Sequence, residues 1–450
     1  MSAFACAAIQ GCVLAPRGLE DERDRLESQG KPYARPIEQR KLPELPSPAT
    51  ARDVLERAFL ANGDLEAAWF EWSAAVERVT IAVGYPNTNL APSFSYLVSG
   101  GGMKAWDRTT VSVGFDSMLN LSLPVKVQKA GEVAFAEARA SGRRFAAQKF
   151  RLQREVLDYW LQINLDEEEL RIARESLTLA QLTFSTVARR VEGGSAGRDL
   201  MRAQVDVGTK TDDVKCIEAR LQQERARLNG RLARPAVAAL VPPASLPSAR
   251  PIPDDATLLA AGVDANPELA ALAFEVRGRA DALDLARLQY LPDFNPFFVF
   301  TGSVVRSIGV GVPLGTVLPQ LRASVDAADA NLRRAQALSR QAGSDQAARY
   351  VAALVALRDS ERQAAWFEAS ILPGARQVVD STRQAYAAGS AELIEMLGAE
   401  AVLLDVRRTI ARARIERERR LAEVEELAGV DVETLSGAAH TPQSEGNAHE

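Results

Sequence analysis

Two histidines, three cysteines and one glycine triplet are the obvious raw material for chemistry in this 450-residue chain. His440 and His449 both lie in the polar C-terminal stretch, so the body of the chain has no imidazole for a metal site or for acid–base catalysis. Cys6, Cys12 and Cys216 follow no zinc or redox spacing. Cys216 falls in a helical stretch and reads as a small packing residue. Gly100-Gly101-Gly102 lies between strand-like segments and reads as a turn, not a phosphate cradle. No phosphate loop and no His–carboxylate set is present. The expectation is a protein that is not an enzyme, with no cofactor and no metal. The formal net charge is -5, and Arg is interleaved with Glu and Asp as on a solvated helix surface. A basic footprint for nucleic acid is missing.

Cys12 carries the one candidate for covalent modification. Ile9-Gln10-Gly11-Cys12 resembles a bacterial lipobox, whose cysteine is lipidated after signal cleavage. No basic residue precedes the short apolar stretch. Three readings stand: residues 1–12 are a lipoprotein signal, they are an ordinary apolar N-terminus, or the true start lies upstream. A lipid on Cys12 would help hold the chain at a membrane.

The elements that must position any functional residue come in two rounds. Asn62-Gly63-Asp64-Leu65 opens a helical pattern ending near Tyr85-Pro86, and Asn266-Pro267-Glu268-Leu269 opens a second ending at Tyr290-Leu291-Pro292. Strand-like segments follow each. Leu123-Pro124 and Val312-Pro313 then mark re-entry to helix. From Lys126 to Glu192 no proline occurs, which predicts a helix roughly 100 Å long. Val156, Ile163, Leu170, Leu177, Phe184 and Val191 recur at seven-residue spacing, as do Leu357, Ala364, Ile371, Val378 and Ala385. A strict heptad keeps one seam against a partner helix. A second stripe, Leu165, Ile172 and Leu179, provides for a second neighbour. Glycine turns at Gly193-Gly194-Ser195-Ala196 and Gly389-Ser390-Ala391 fold each long helix back as an antiparallel hairpin.

The strand segments alternate. Val111, Val113, Phe115, Ser117, Leu119, Leu121 and Leu123 fall on one parity, with Ser112, Gly114, Asp116, Asn120 and Ser122 on the other. In the second half Phe294, Pro296, Phe298, Phe300, Val310, Val312 and Leu314 share a parity, which Phe297 and Val299 blur. No stretch has the ~20 continuous apolar residues of a helical membrane span, so a membrane crossing would have to be made by strands. Two strands per half cannot close a barrel, whose smallest membrane form has about eight, so the wall would be shared among copies. The interval from Pro292 to Pro313 is much shorter than that from Pro86 to Pro124, which predicts a tight second turn around Ser303 to Ser307.

The order, spacing and duplication of these motifs resemble the TolC family of outer membrane efflux proteins over roughly residues 50 to 430. Carrying the likeness are Asn266-Pro267-Glu268-Leu269 through Leu291-Pro292-Asp293, Gly309-Val310-Gly311-Val312-Pro313-Leu314, and Ile371-Leu372-Pro373 with Ala385-Tyr386-Ala387-Ala388-Gly389 and Leu393-Ile394-Glu395-Met396-Leu397. The resemblance implies a mainly α fold with a small β part. Each chain would hold a tandem repeat of long antiparallel helical hairpins and two β-hairpins, and three chains would build an α-barrel and a twelve-stranded transmembrane β-barrel. It implies a homotrimer in outer-membrane lipid, extending into the periplasm. The implied role is a passive export duct in a tripartite efflux or type I secretion system. Its implied partners are a periplasmic adaptor and an inner-membrane pump of RND, ABC or MFS type. In the family, acidic residues just past the second-repeat turn ring the periplasmic entrance. Glu395 matches the first such position, and Gly398 stands where a second acid is common. Asp199 occupies the equivalent turn of the first half. An ordinary solvated helix glutamate is the other reading of Glu395.

On this reading residues 1–12 are the signal and 13–50 an extended Pro-rich arm. Residues 51–240 form the first repeat, with strands about 88–99 and 108–123 and helices about 126–192 and 196–233. A Pro-rich linker covers 241–253. Residues 254–430 form the second repeat, with strands about 294–304 and 306–314 and helices about 319–388 and 391–428, and 431–450 are a polar tail. The competing reading is a soluble periplasmic coiled-coil adaptor or scaffold. Such a protein usually carries one helical hairpin, whereas this chain has two.

Overall fold

The computed structural model describes residues 14–84, 90–98, 102–115, 122–192, 197–247, 249–264, 266–301, 303, 305–312 and 318–432. They fall into two compact units, one of residues 1–31, 67–145 and 267–343, the other of residues 32–66, 146–266 and 344–450.

In the first unit the N-terminal segment departs from the expected extended arm. Its residues Leu19–Gly30 form helix α1, which buries Leu19, Glu22, Leu26 and Gly30. That spacing of three to four residues is a helical face, and most of the arm's prolines lie beyond it. The face docks on α3 (Gly63–Val83). Trp72 donates its indole N–H to Glu22 Oε1 at 3.0 Å, and Trp69 donates to the Leu26 carbonyl at 3.2 Å. Trp72 also stacks on Phe145, with ring centroids 5.8 Å apart. A Cβ at Gly30 would stand 2.2 Å from the Trp69 ring, so only glycine admits this approach.

The same unit holds β1 (Leu90–Tyr96), β2 (Thr109–Phe115), β3 (Asn295–Thr301) and β4 (Val305–Gly311). They form one antiparallel sheet in the order β1-β2-β3-β4. Thr301 pairs with Val305, so the second turn is tight but lies earlier than expected. Ser307 stands inside β4 opposite Val299, not in the turn. Asp107, from the β1–β2 connection, accepts hydrogen bonds from the backbone N–H and hydroxyl of Ser303 and so ties the two turns together. Parts of the expected strands, including 88–89, 99, 116–121 and 313–314, lie outside the described residues. Lys126, near the start of α4 (Pro124–Glu192), donates to the Leu291 carbonyl and Asp293 Oδ1, both at 2.7 Å. It thereby fixes the exit of α7 (Pro267–Leu288) toward β3.

The second unit is built of helical hairpins. Between α2 (Ala51–Ala61) and α10 (Leu393–Ala428) come the later part of α4, α5 (Gly197–Arg231), α6 (Asp255–Asp264), the end of α8 (Leu318–Trp366) and α9 (Leu372–Ala387). Ion pairs Glu218–Arg174, Arg225–Glu167 and Arg231–Glu155 run α5 antiparallel to α4. Arg407–Glu175, Arg412–Glu169 and Arg154–Glu426 set α10 antiparallel to α4 on another face. One helix thus has the two neighbours that its two stripes demanded. Val156, Ile163, Leu170 and Ile172 are buried along it. Leu258 of α6 and Tyr350, Leu354 and Leu357 of α8 share a core with Leu421 and Val424 of α10.

The repeat is visible in single hydrogen bonds. Asn62 donates to the Arg231 carbonyl at the end of α5, and Asn266 donates to the Leu427 carbonyl at the end of α10. Each repeat-opening asparagine therefore satisfies a helix-end carbonyl of the helix that closes its own repeat.

The heptad of the second half needs a correction. Leu357 and Ala364 are buried, but Val378 is 54 % exposed and its neighbour Val379 is 2 % exposed. Between them Phe367–Ile371 forms a π-helical turn. A π turn absorbs one extra residue, so the seam resumes one position late.

Candidate functional site

Two places hold the candidate residues, the sheet and the hairpin turns. Across the sheet, Phe94 stands opposite Val111, Val111 opposite Phe300, and Phe300 opposite Arg306. The next row is Pro92, Val113, Phe298 and Ile308. Residues directly opposite share a face, so the register assigns Pro92, Phe94, Val111, Val113, Phe298, Phe300, Ile308 and Val310 to one face, with Arg306 the one charged residue among them, its guanidinium lying over the Phe300 ring. Ile308 is 84 % and Phe94 71 % exposed, so nothing among the described residues covers this face at those points. The other face is mostly small and polar. Ser93 hydrogen-bonds Ser112, and Thr110 bonds Thr301 at 3.1 Å across the β2–β3 ladder. Phe297 and Val299 also lie there, which explains why they blurred the sequence pattern.

The sheet is open. β1 and β4 are its outer strands, each with one backbone edge unpaired among the described residues. Among the described residues no helix is long and apolar enough to cross a membrane.

At the tips, Glu395 is the third residue of α10 and Asp199 the third of α5, and both side chains are exposed. The two acids therefore occupy equivalent places, one in each repeat. A carboxylate in the first turn also complements the helix dipole. No hydrogen bond or ion pair joins the two among the described residues. The second turn closes with Gly389 at φ 75° and the Ser390 N–H bonded to the Ala385 carbonyl at 2.9 Å. Arg383 of α9 donates to Glu400 of α10 just behind it, at 2.8 Å. The first turn, 193–196, lies outside the described residues, as does Cys12. No group of His, Cys, Asp and Glu that could hold a metal ion occurs among the described residues.

No protein-family model and no curated protein matches the sequence. Solved structures do match. The MtrE outer membrane channel of Neisseria gonorrhoeae has a TM-score of 0.69 at 17% identity, covering 85% of this chain and 89% of that one. The CmeC outer membrane channel of Campylobacter jejuni has a TM-score of 0.69 at 14% identity, covering 86% and 88%. The outer membrane protein VceC of Vibrio cholerae has a TM-score of 0.68 at 16% identity, covering 84% and 96%. The chain has the fold of the TolC-like outer-membrane channels. The similar structures are of channel proteins.

Within this channel fold the polar interior of the hairpins is the part that sequence reading missed. Asp166 and Glu169 of α4 are buried, and Arg220 of α5 reaches both, Asp166 at 2.8 Å and Glu169 at 2.5 Å. Arg412 of α10 meets Glu169 from the other side. Burial raises the Asp166 carboxyl above its ordinary pKa despite this partner. The carboxyl of Glu169, with two guanidiniums, is lowered even though burial opposes this. Arg250, in the Pro-rich linker, donates to Glu418 at 3.1 Å and to Glu425 at 2.9 Å. Arg417 in turn donates to the Arg250 carbonyl at 2.6 Å. The linker is thus clamped onto α10. The only sequence signal for these residues was an excess of Arg and Glu, which reads as surface until the partners are known.

Proposed function

We propose that the chain is one subunit of a passive outer-membrane export channel. Its sheet would supply part of a transmembrane β-barrel, and its helical hairpins part of a duct through the periplasm. One observation carries this reading: a sheet with one exposed, mainly apolar face, one mostly small and polar face, and two edges unpaired among the described residues. Four strands are too few to close a barrel, and open edges are not tolerated in lipid. The sheet is therefore completed by copies of itself, and three copies would supply twelve strands. The apolar face then meets lipid and the hydroxyl-bearing face lines water. The likeness to the MtrE, CmeC and VceC structures supports the same architecture.

In that assembly Glu395 rings the periplasmic entrance and favours cations, with Asp199 beside it or facing an adaptor. Lipid on Cys12 adds an anchor to the barrel's own insertion. A periplasmic adaptor and an inner-membrane pump supply the energy, since nothing in the duct itself does.

Purification in detergent tests the proposal. A particle with the mass of three chains that conducts ions in planar bilayers is the expected result. A monomer that stays soluble without detergent and does not conduct would instead fit the soluble coiled-coil scaffold.

A further inference from the structure

The first unit contains a cavity of about 590 Å³ that the export role does not use. Its walls come from the N-terminal segment (Ala15, Pro16, Arg17), from α4 and from α7. The approach of α7 to α4 is close at its floor, where a Cβ on Gly278 would sit 3.1 Å from the Ala136 Cβ.

The charge around this cavity is unevenly satisfied. Its two acidic residues, Glu132 and Asp281, are both engaged by Lys129, whose Nζ lies 2.6 Å and 3.1 Å from them. Nearby Glu137 and Glu275 are engaged by Arg144 at 2.9 Å and 3.3 Å. That leaves the cavity's three arginines, Arg17, Arg139 and Arg277. None makes an ion pair among the described residues, in a chain whose arginines are otherwise widely paired. Arg139 is half-buried and held in place by stacking. Its guanidinium carbon lies 4.5 Å from the Phe274 ring centroid and 5.4 Å from that of Phe135. A guanidinium stacked on aromatic rings keeps its N–H edges free and oriented, the geometry that suits bidentate recognition of a phosphoryl group.

We propose that this cavity is an oxyanion site that takes the phosphoryl group of a phosphate-bearing molecule, with Arg17, Arg139 and Arg277 converging on it. The site needs no export activity and stands on one unit of the chain. The phosphoryl group can belong to a lipid headgroup or to a soluble phosphate, and the two sources are separable.

The test uses the full chain in detergent and in nanodiscs. Binding of inorganic pyrophosphate is measured by calorimetry. Retention of phosphatidylglycerol against phosphatidylcholine is measured by native mass spectrometry. Arg17→Gln and Arg277→Gln remove exposed side chains, so folding is retained. Each should weaken binding on the order of tenfold, the worth of one charge-assisted contact. Arg139→Lys should weaken it despite keeping the charge, because the planar fork is lost. Arg362→Gln, an exposed arginine paired with Asp359 outside the cavity, should leave it unchanged. Pyrophosphate binding lost with the cavity arginines identifies a soluble ligand. Selective loss of phosphatidylglycerol alone identifies a headgroup. Neither ligand binding to the native chain, or equal weakening by Arg362→Gln, overturns the site.

Discussion

Val111 and Phe300 stand directly opposite each other across the β2–β3 ladder, within the run of pairs that joins the two repeats into one sheet. Without it each repeat would own a separate two-stranded hairpin with no common face. With it, the row Pro92, Val113, Phe298 and Ile308 runs apolar from β1 to β4, while the Val111–Phe300 row ends on Arg306.

That surface predicts an asymmetric response to charge. Ile308→Arg places a guanidinium on the apolar face, and Ser307→Arg places it on the opposite one. On a lipid-facing wall the first should cost about 2–4 kcal/mol near the bilayer midplane. The second should cost far less and alter conductance instead. Urea titration of the protein folded into liposomes reads the difference; equal costs would mean that the apolar face does not meet lipid.

At the turn of the second repeat, Glu395→Ala should reduce cation selectivity of the reconstituted pore. The reversal potential in asymmetric salt should move toward zero, while the folded mass and the melting temperature stay constant. Glu395 is exposed and carries no ion pair among the described residues, so its loss removes charge rather than packing. An unchanged reversal potential would return Glu395 to the status of a solvated helix residue.

Asn62 and Asn266 should behave as equivalents. Each is buried, and each donates to the last turn of its own closing helix. Replacing either with Ala should destabilise the helical unit by about 1–3 kcal/mol, the cost of losing the hydrogen bonds of a buried amide. Chemical denaturation followed by far-UV circular dichroism measures both.

The helical unit should also respond unusually to acid. Burial raises the carboxyls of Asp158, Asp166, Glu425 and Glu426 above their ordinary range. A raised folded-state pKa means that the folded chain takes up these protons before the unfolded chain does. Stability from these groups therefore grows as pH falls from above their folded values toward the ordinary carboxylate range, by at most about 1.4 kcal/mol per pH unit for each group. Glu169 acts in the opposite sense: its lowered pKa gives stability that is lost only at more acidic pH. Urea melts at neutral and mildly acidic pH should show a rise, and Glu425→Gln should flatten it.

Much of this protein follows from the chain's local periodicities. The stripes of the long helices recur every seven residues, the strands alternate every two, and the elements come in a doubled order, all of which a linear reading detects. The tertiary structure decided what periodicity cannot carry. It placed β3 on β2, pairing residues 191 positions apart at Thr110 and Thr301. It inserted a π turn that moved the buried seam from Val378 to Val379. It folded part of a proline-rich arm into α1 against Trp69 and Trp72. It paired Asp166 and Glu169 with arginines of two other helices, and brought Arg17, Arg139 and Arg277 to one cavity. Each of these depends on which distant residue arrives opposite, and side-chain chemistry alone leaves that open.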